Sequence, residues 1–98
     1  MEPKPQAILN SLVTLFPSCQ VEYRYENMLH KFRLEQDGNP HWLYVAYEFV
    51  DDHTESELVA SISRWQIPEV FLNSETSCRL FLSETGVCEV DDRFGRGR

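Results

Sequence analysis

The chain has 98 residues, room for one domain and too few for a second independent core. Its 42% hydrophobic and 12% aromatic content excludes a disordered polymer, and its formal charge of −7 disfavours nucleic-acid backbones and anionic membranes as partners. The charge is uneven: Arg93, Arg96 and Arg98 close the sequence, so residues 1 to 92 hold six basic groups against all sixteen acidic ones.

In chain order, Pro3 and Pro5 precede a helical pattern over residues 6–16, with Ile8, Leu12 and Leu15 on one side, flanked by Leu9, Val13 and Phe16. Pro17 ends it. Residues 21–26 then alternate strictly, Val21, Tyr23 and Tyr25 against Glu22, Arg24 and Glu26, which predicts a half-buried strand. A second strand is expected over residues 30–36, where Phe32 and Leu34 alternate with Lys31, Arg33 and Glu35. The run Asp37-Gly38-Asn39-Pro40 is a turn signal, since Gly supplies positive φ and Pro bars ladder continuation.

Residues 41–50, His-Trp-Leu-Tyr-Val-Ala-Tyr-Glu-Phe-Val, form the longest apolar run and read as the central strand. One face would carry Leu43, Val45, Tyr47 and Phe49 toward the helices, and the other Trp42, Tyr44, Ala46 and Glu48. Because connections between the first three strands are short, an antiparallel meander is predicted, its outer face pairing the charges of the first two strands crosswise.

Asp51-Asp52-His53 breaks the strand, and Thr54-Glu55-Ser56-Glu57 matches a capping box opening a second helix with Leu58, Ile62 and Trp65 on its apolar side. It should stop near Gln66, ahead of Pro68. Residues 69–72 read as a short strand or extended connection, 73–77 as loop, 78–83 as a strand with Cys78, Leu80 and Leu82 inward, and 84–86 as a hairpin loop into 87–90. The expected fold class is therefore α+β, a single domain over residues 1–92 in the order α-β-β-β-α-β-β, helices on one face of an antiparallel meander. Residues 93–98 are expected to be a flexible basic tail.

Cys19, Cys78 and Cys88 lack CxxC spacing, and reduced thiols in a cytoplasmic setting are the expectation. There is no secretory signal pattern and no span long enough for a bilayer. The polar group Glu48, Asp51, Asp52, His53, Glu55 and Glu57 gives Asp51, Asp52 and His53 as weak metal candidates. It lacks EF-hand spacing, and acids at a helix start are expected in any case. His30, His41 and His53 have no zinc-ligand spacing, the four glycines match no phosphate loop, and no cofactor or catalytic group is expected.

The order α-β-β-β-α over residues 6–66 resembles that of double-stranded-RNA-binding domains, with Leu9-Asn10-Ser11-Leu12 at the corresponding start. Those domains place a lysine cluster at the second helix, where this chain has Asp51, Asp52, Glu55 and Glu57, so the resemblance implies topology and not RNA binding. Small size, acidity and mixed order are also similar to type III secretion chaperones, which end in a further helix with no counterpart here.

The functional expectation is a small acidic non-catalytic protein-interaction module, an adaptor, inhibitor or regulator, with Trp42, Tyr44, Glu48 and Arg33 as partner-binding residues. A basic protein or a second copy of the chain suits it, and no membrane partner is expected. The alternative is a nucleic-acid-associated protein using Arg24, Lys31, Arg33 and the arginine tail. A metal-dependent hydrolase around Asp51 and Asp52 is a remote third.

Overall fold

A computed structural model of the chain describes residues 2–36, 38–73 and 77–89. Its elements run α1 (Pro3–Leu15), β1 (Gln20–Glu26), β2 (Leu29–Gln36), β3 (Asn39–Ala46), α2 (Tyr47–Asp52), α3 (Glu55–Arg64), α4 (Ile67–Leu72), β4 (Arg79–Ser83) and β5 (Gly86–Glu89). The expected arginine tail and the acids Asp91 and Asp92 lie outside the described residues.

The alternating stretches pair as their patterns require. β1, β2 and β3 form the antiparallel meander, with Tyr23 opposite Phe32 and Phe32 opposite Leu43, which puts the apolar sets of three strands on one face. Both turns are two-residue connections. Gln36 pairs with Asn39 around a loop containing Gly38 at φ 77°, and Glu26 pairs with Leu29 around Asn27 and Met28 at φ 54° and 61°. Positive φ at both Asn27 and Met28 is what a type I′ hairpin needs.

The final hairpin extends the sheet to the order β1-β2-β3-β4-β5, but β4 lies parallel to β3 while β5 returns antiparallel. A parallel neighbour requires a crossover, and α2, α3 and α4 provide it. The sheet is thus mixed, a purely antiparallel meander only over its first three strands.

Three readings of the sequence are corrected here. The central strand stops at Ala46, and Tyr47, Glu48, Phe49 and Val50 belong to α2. Ala46 is the last residue of β3 to find a partner, Leu29, because the β1–β2 turn ends the ladder there, and the Tyr47 amide donates to the Met28 carbonyl at 3.1 Å. Further strand would leave its backbone groups without a neighbour on that side; the helix pairs them internally and buries Phe49 and Val50. The segment read as extended, residues 69–72, lies in α4, whose Pro68 sits in the first turn, where its missing N–H costs nothing. In α1 the buried stripe is Ile8, Leu12 and Phe16, and Leu15 points outward.

One core lies between the helices and the sheet. Ile8, Leu12 and Phe16 of α1 and its C-cap, Leu58 and Ile62 of α3, and Ile67 and Phe71 of α4 meet Phe32, Leu34, Leu43, Val45, Leu80 and Leu82. Each such side chain fully buried contributes about 1.5–3 kcal/mol. α3 starts on the predicted capping box: the Thr54 hydroxyl accepts from the Glu57 amide at 3.2 Å, and the Glu57 carboxylate accepts from the Thr54 amide at 2.8 Å. Among the described residues no helix is long and apolar enough to cross a membrane.

Candidate interaction surface

Alternation that turns Phe32, Leu43 and Leu80 inward turns another set outward. On the sheet face away from the core stand Glu22, Arg24 and Glu26 of β1, Lys31, Arg33 and Glu35 of β2, Trp42 and Tyr44 of β3, Arg79 and Phe81 of β4, and Cys88 of β5. Among the described residues no helix crosses this face, since α1 to α4 all feed the opposite side.

Register organises the face into two rows. Glu22, Arg33, Trp42 and Arg79 face one another across four strands, and Arg24, Lys31, Tyr44, Phe81 and Cys88 across five. Trp42 consequently has a guanidinium on each flank, Arg33 Cζ at 5.7 Å and Arg79 Cζ at 6.0 Å from its ring. The Lys31 ammonium lies 5.6 Å from the Tyr44 ring, and the Trp42 and Tyr44 rings meet at 6.1 Å with a 42° tilt. Such cation–π contacts contribute about 0.5–1 kcal/mol at exposed sites. Trp42 and Tyr44 are accordingly half-buried by neighbours within the sheet.

Carboxylates balance the cations. Lys31 stands directly opposite Arg24, an unfavourable like-charge pair, and its ammonium instead donates diagonally to Glu26 at 2.9 Å. That hydrogen bond, aided by the Lys31 charge, holds the Glu26 carboxyl below its ordinary value. Arg33 donates to Glu22 at 3.2 Å and pairs with Glu35 as well. Four basic and three acidic side chains therefore share the face, leaving it near neutrality in a chain of charge −7. Much of the negative charge lies on the helical elements, at Glu48, Asp51, Asp52, Glu55, Glu57 and Glu69.

Of the residues singled out from sequence, Trp42, Tyr44 and Arg33 come together here. Glu48 does not join them; it occupies the first turn of α2 and lines a cleft of about 350 Å³ with Met28, Tyr47 and Glu84. Arg24 and Lys31 share the face. Arg79 and Phe81 complete it: their alternation with Leu80 and Leu82 is plain in the sequence, but their register against Trp42 and Tyr44 is set by the parallel pairing across the crossover. Phe71 packs in the core against Phe16 and, stacked at 5.2 Å, His41.

The remaining candidates stay apart. Asp51 and Asp52 are exposed at the end of α2, and His53, the C-cap residue, has Nδ1 2.8 Å from the Phe49 carbonyl. Among the described residues no three His, Cys, Asp or Glu side chains converge as donors for a metal ion. The cysteines form no disulfide: Cys19 is half-buried, Cys78 buried and Cys88 exposed. Comparison with family models, with curated proteins and with solved structures finds no match for the chain.

Proposed function

We propose that this chain is a non-catalytic protein-interaction module that docks a protein surface on the open face of its sheet. The observation that carries the reading is Trp42, held between Arg33 and Arg79 and continued by Tyr44 and Phe81. Trp, Tyr and Arg are the residue types that concentrate binding energy at interfaces, and here they stand on rigid strands and not on loops. A second copy of the chain is one suitable occupant, since a near-neutral face with both signs of charge can complement itself about a two-fold axis while the acidic helical side stays in water. A cytoplasmic setting agrees with three cysteines outside any disulfide.

The test compares the wild-type chain with Trp42→Ala and Tyr44→Ser by light scattering and by capture of partners from the source cell. Half-burial of both residues predicts variants that fold and melt cooperatively. Loss of the dimer mass or of a specific captured protein is the expected result. Wild-type and variants that are equally monomeric and capture the same proteins would overturn the reading.

One observation favours a second reading: basic side chains and aromatic rings interleave on a single open face, the layout on which single-stranded nucleic acid stacks. Arg24, Lys31 and Arg33 would then meet phosphates. Anisotropy of a labelled single-stranded oligonucleotide should show binding that weakens steeply with salt, and Trp42→Ala should reduce it about tenfold. Ion pairs from Glu22, Glu26 and Glu35 already engage Lys31 and Arg33, which ranks this reading second.

A further inference from the structure

Away from the open face, a cleft of about 400 Å³ lies where the start of α1, the joined ends of β1 and β2, and α2 come together. Its size is within the range of small-ligand sites. Tyr23, Tyr25, His30 and Tyr47 supply four rings to its wall, and Glu2, Asp51 and Lys4 make two acidic residues and one basic one in its lining.

The sequence places the rings by two different periodicities. Tyr23 and Tyr25 alternate on β1, His30 pairs with Tyr25 across the ladder, and Tyr47 arrives because the chain turns into α2 at that residue. Tyr25 packs on His30 at 4.8 Å with a 51° tilt, and Tyr47 stands 6.4 Å from Tyr25 at 59°. The Tyr25 and Tyr47 rings therefore form an angled corner, and both stay open to solvent, at 48% and 41% exposure. His30 is fixed behind them by the Tyr23 hydroxyl, 2.7 Å from its Nδ1.

We propose that this corner binds a methylated ammonium group, with Tyr25 and Tyr47 as its aromatic walls and Glu2 and Asp51 as the charges that attract it. A methylated ammonium spreads its charge over apolar surface and sheds water easily, which suits ring faces better than a compact, strongly hydrated ion. Burial lowers the His30 pKa, so the imidazole beside the site adds no repelling charge near neutrality. The cation already present, Lys4, donates to the Asp51 backbone carbonyl at 2.8 Å, and among the described residues neither the Glu2 nor the Asp51 carboxylate has an ion-pair partner. The net charge of −7 steers cations toward the molecule in any orientation.

The experiment titrates the full chain with free trimethyllysine and follows tyrosine ring resonances by NMR. The neutral isostere 3,3-dimethylbutanol and unmethylated lysine serve as comparators. Trimethyllysine should shift the Tyr25 and Tyr47 signals and bind about tenfold more tightly than either comparator. Tyr25→Leu and Tyr47→Leu should each weaken it about fivefold or more, Tyr25→Phe should keep affinity within about twofold, and Asp51→Asn should weaken it. Melting curves of the variants confirm the fold, which two surface-exposed rings do not control. Trp42→Ala should leave this binding unchanged, so that the site stands or falls separately from the open sheet face. Equal binding of the isostere or of unmethylated lysine, no shift at millimolar trimethyllysine, or indifference to both leucine variants would overturn the proposal.

Discussion

The Tyr23 hydroxyl lies 2.7 Å from Nδ1 of His30, a diagonal pair across β1 and β2 in which Tyr23 itself faces Phe32 and His30 faces Tyr25. It is the point where the sheet meets the aromatic cleft, and both groups titrate away from their ordinary values. Burial lowers the His30 pKa below 6.5 and raises that of Tyr23 above 10.0. His41, stacked on Phe71, is also lowered by burial, and its Nδ1 accepts the Cys78 amide hydrogen at 3.1 Å.

These shifts predict stability that is greatest between the two ordinary values. As pH falls below 6.5 the unfolded chain protonates its histidines first, so the contribution of His30 and His41 is complete above 6.5 and is lost as pH falls through their lowered folded values. On the alkaline side the fold favours the neutral Tyr23 phenol, a contribution present below 10.0 and lost as pH rises past it. Melting temperatures measured from about pH 5 to 11 should trace this dome. His41→Asn keeps an acceptor for the Cys78 amide without the titration, and should flatten part of the acid limb. An acid limb unchanged by His41→Asn and His30→Asn together would assign it to other groups.

Gly86 has φ 114°, and a Cβ built on it would lie 3.2 Å from Cη2 of Trp65. Two separate penalties follow for Gly86→Ala: a displaced indole and a backbone conformation that L-residues rarely adopt. The strain alone is about 1–3 kcal/mol. Trp65 is 40% exposed and can move, so adding Trp65→Ala should recover the steric part and leave the backbone part. Urea unfolding of both variants checks this; full recovery in the double variant would show that φ is not the constraint.

Much of this fold is legible in the residues. Strict alternation in residues 21–26 and 30–36 reports strands because a half-buried sheet needs it, and Thr54 with Glu57 reports a helix start because orphan amides need acceptors. The stretch from His41 to Val50 misleads at its end for a physical reason. An apolar run suits a strand or a buried helix equally, and the choice at Tyr47 depends on where a different strand, β2, runs out of partners. Pro68 carries the same ambiguity, since proline stops one helix and is welcome in the first turn of the next. Trp42, Tyr44 and Arg33 could be placed on one face from the meander alone. Arg79 and Phe81 could not, because a parallel register is set by the whole crossover.

The capping box at α3 gives a third prediction. Thr54→Ala removes the hydroxyl that accepts the Glu57 amide, and should cost about 0.5–2 kcal/mol in urea unfolding with an unchanged m-value. The reciprocal bond, from the Thr54 amide, is the main reason the Glu57 carboxyl is held below 4.5. A lowered carboxyl contributes stability above its ordinary value and loses it as pH falls through the folded one. Glu57→Gln should therefore reduce the dependence of the melting temperature on pH below 4.5, and an unchanged dependence would show that the capping box is not its source.

Met28 stands in a backbone conformation that its side chain disfavours. The two-residue β1–β2 loop requires positive φ at both Asn27 and Met28, which stand at 54° and 61°. Asparagine enters this region with little penalty, but an ordinary side chain there costs about 1–2 kcal/mol. Met28 is 61% exposed, so replacing its side chain sacrifices little packing, and the bond from the Tyr47 amide uses only its carbonyl. Met28→Gly should accordingly stabilise the fold by about 0.5–1 kcal/mol after the greater freedom of glycine in the unfolded chain is counted. For a domain of this size that is a rise of about 2–8 °C in melting temperature. Met28→Val, β-branched and less tolerant of positive φ, should lower it. A decrease for Met28→Gly would mean that the thioether, lining the cleft beside Glu48 and Tyr47, contributes more through packing than the turn costs.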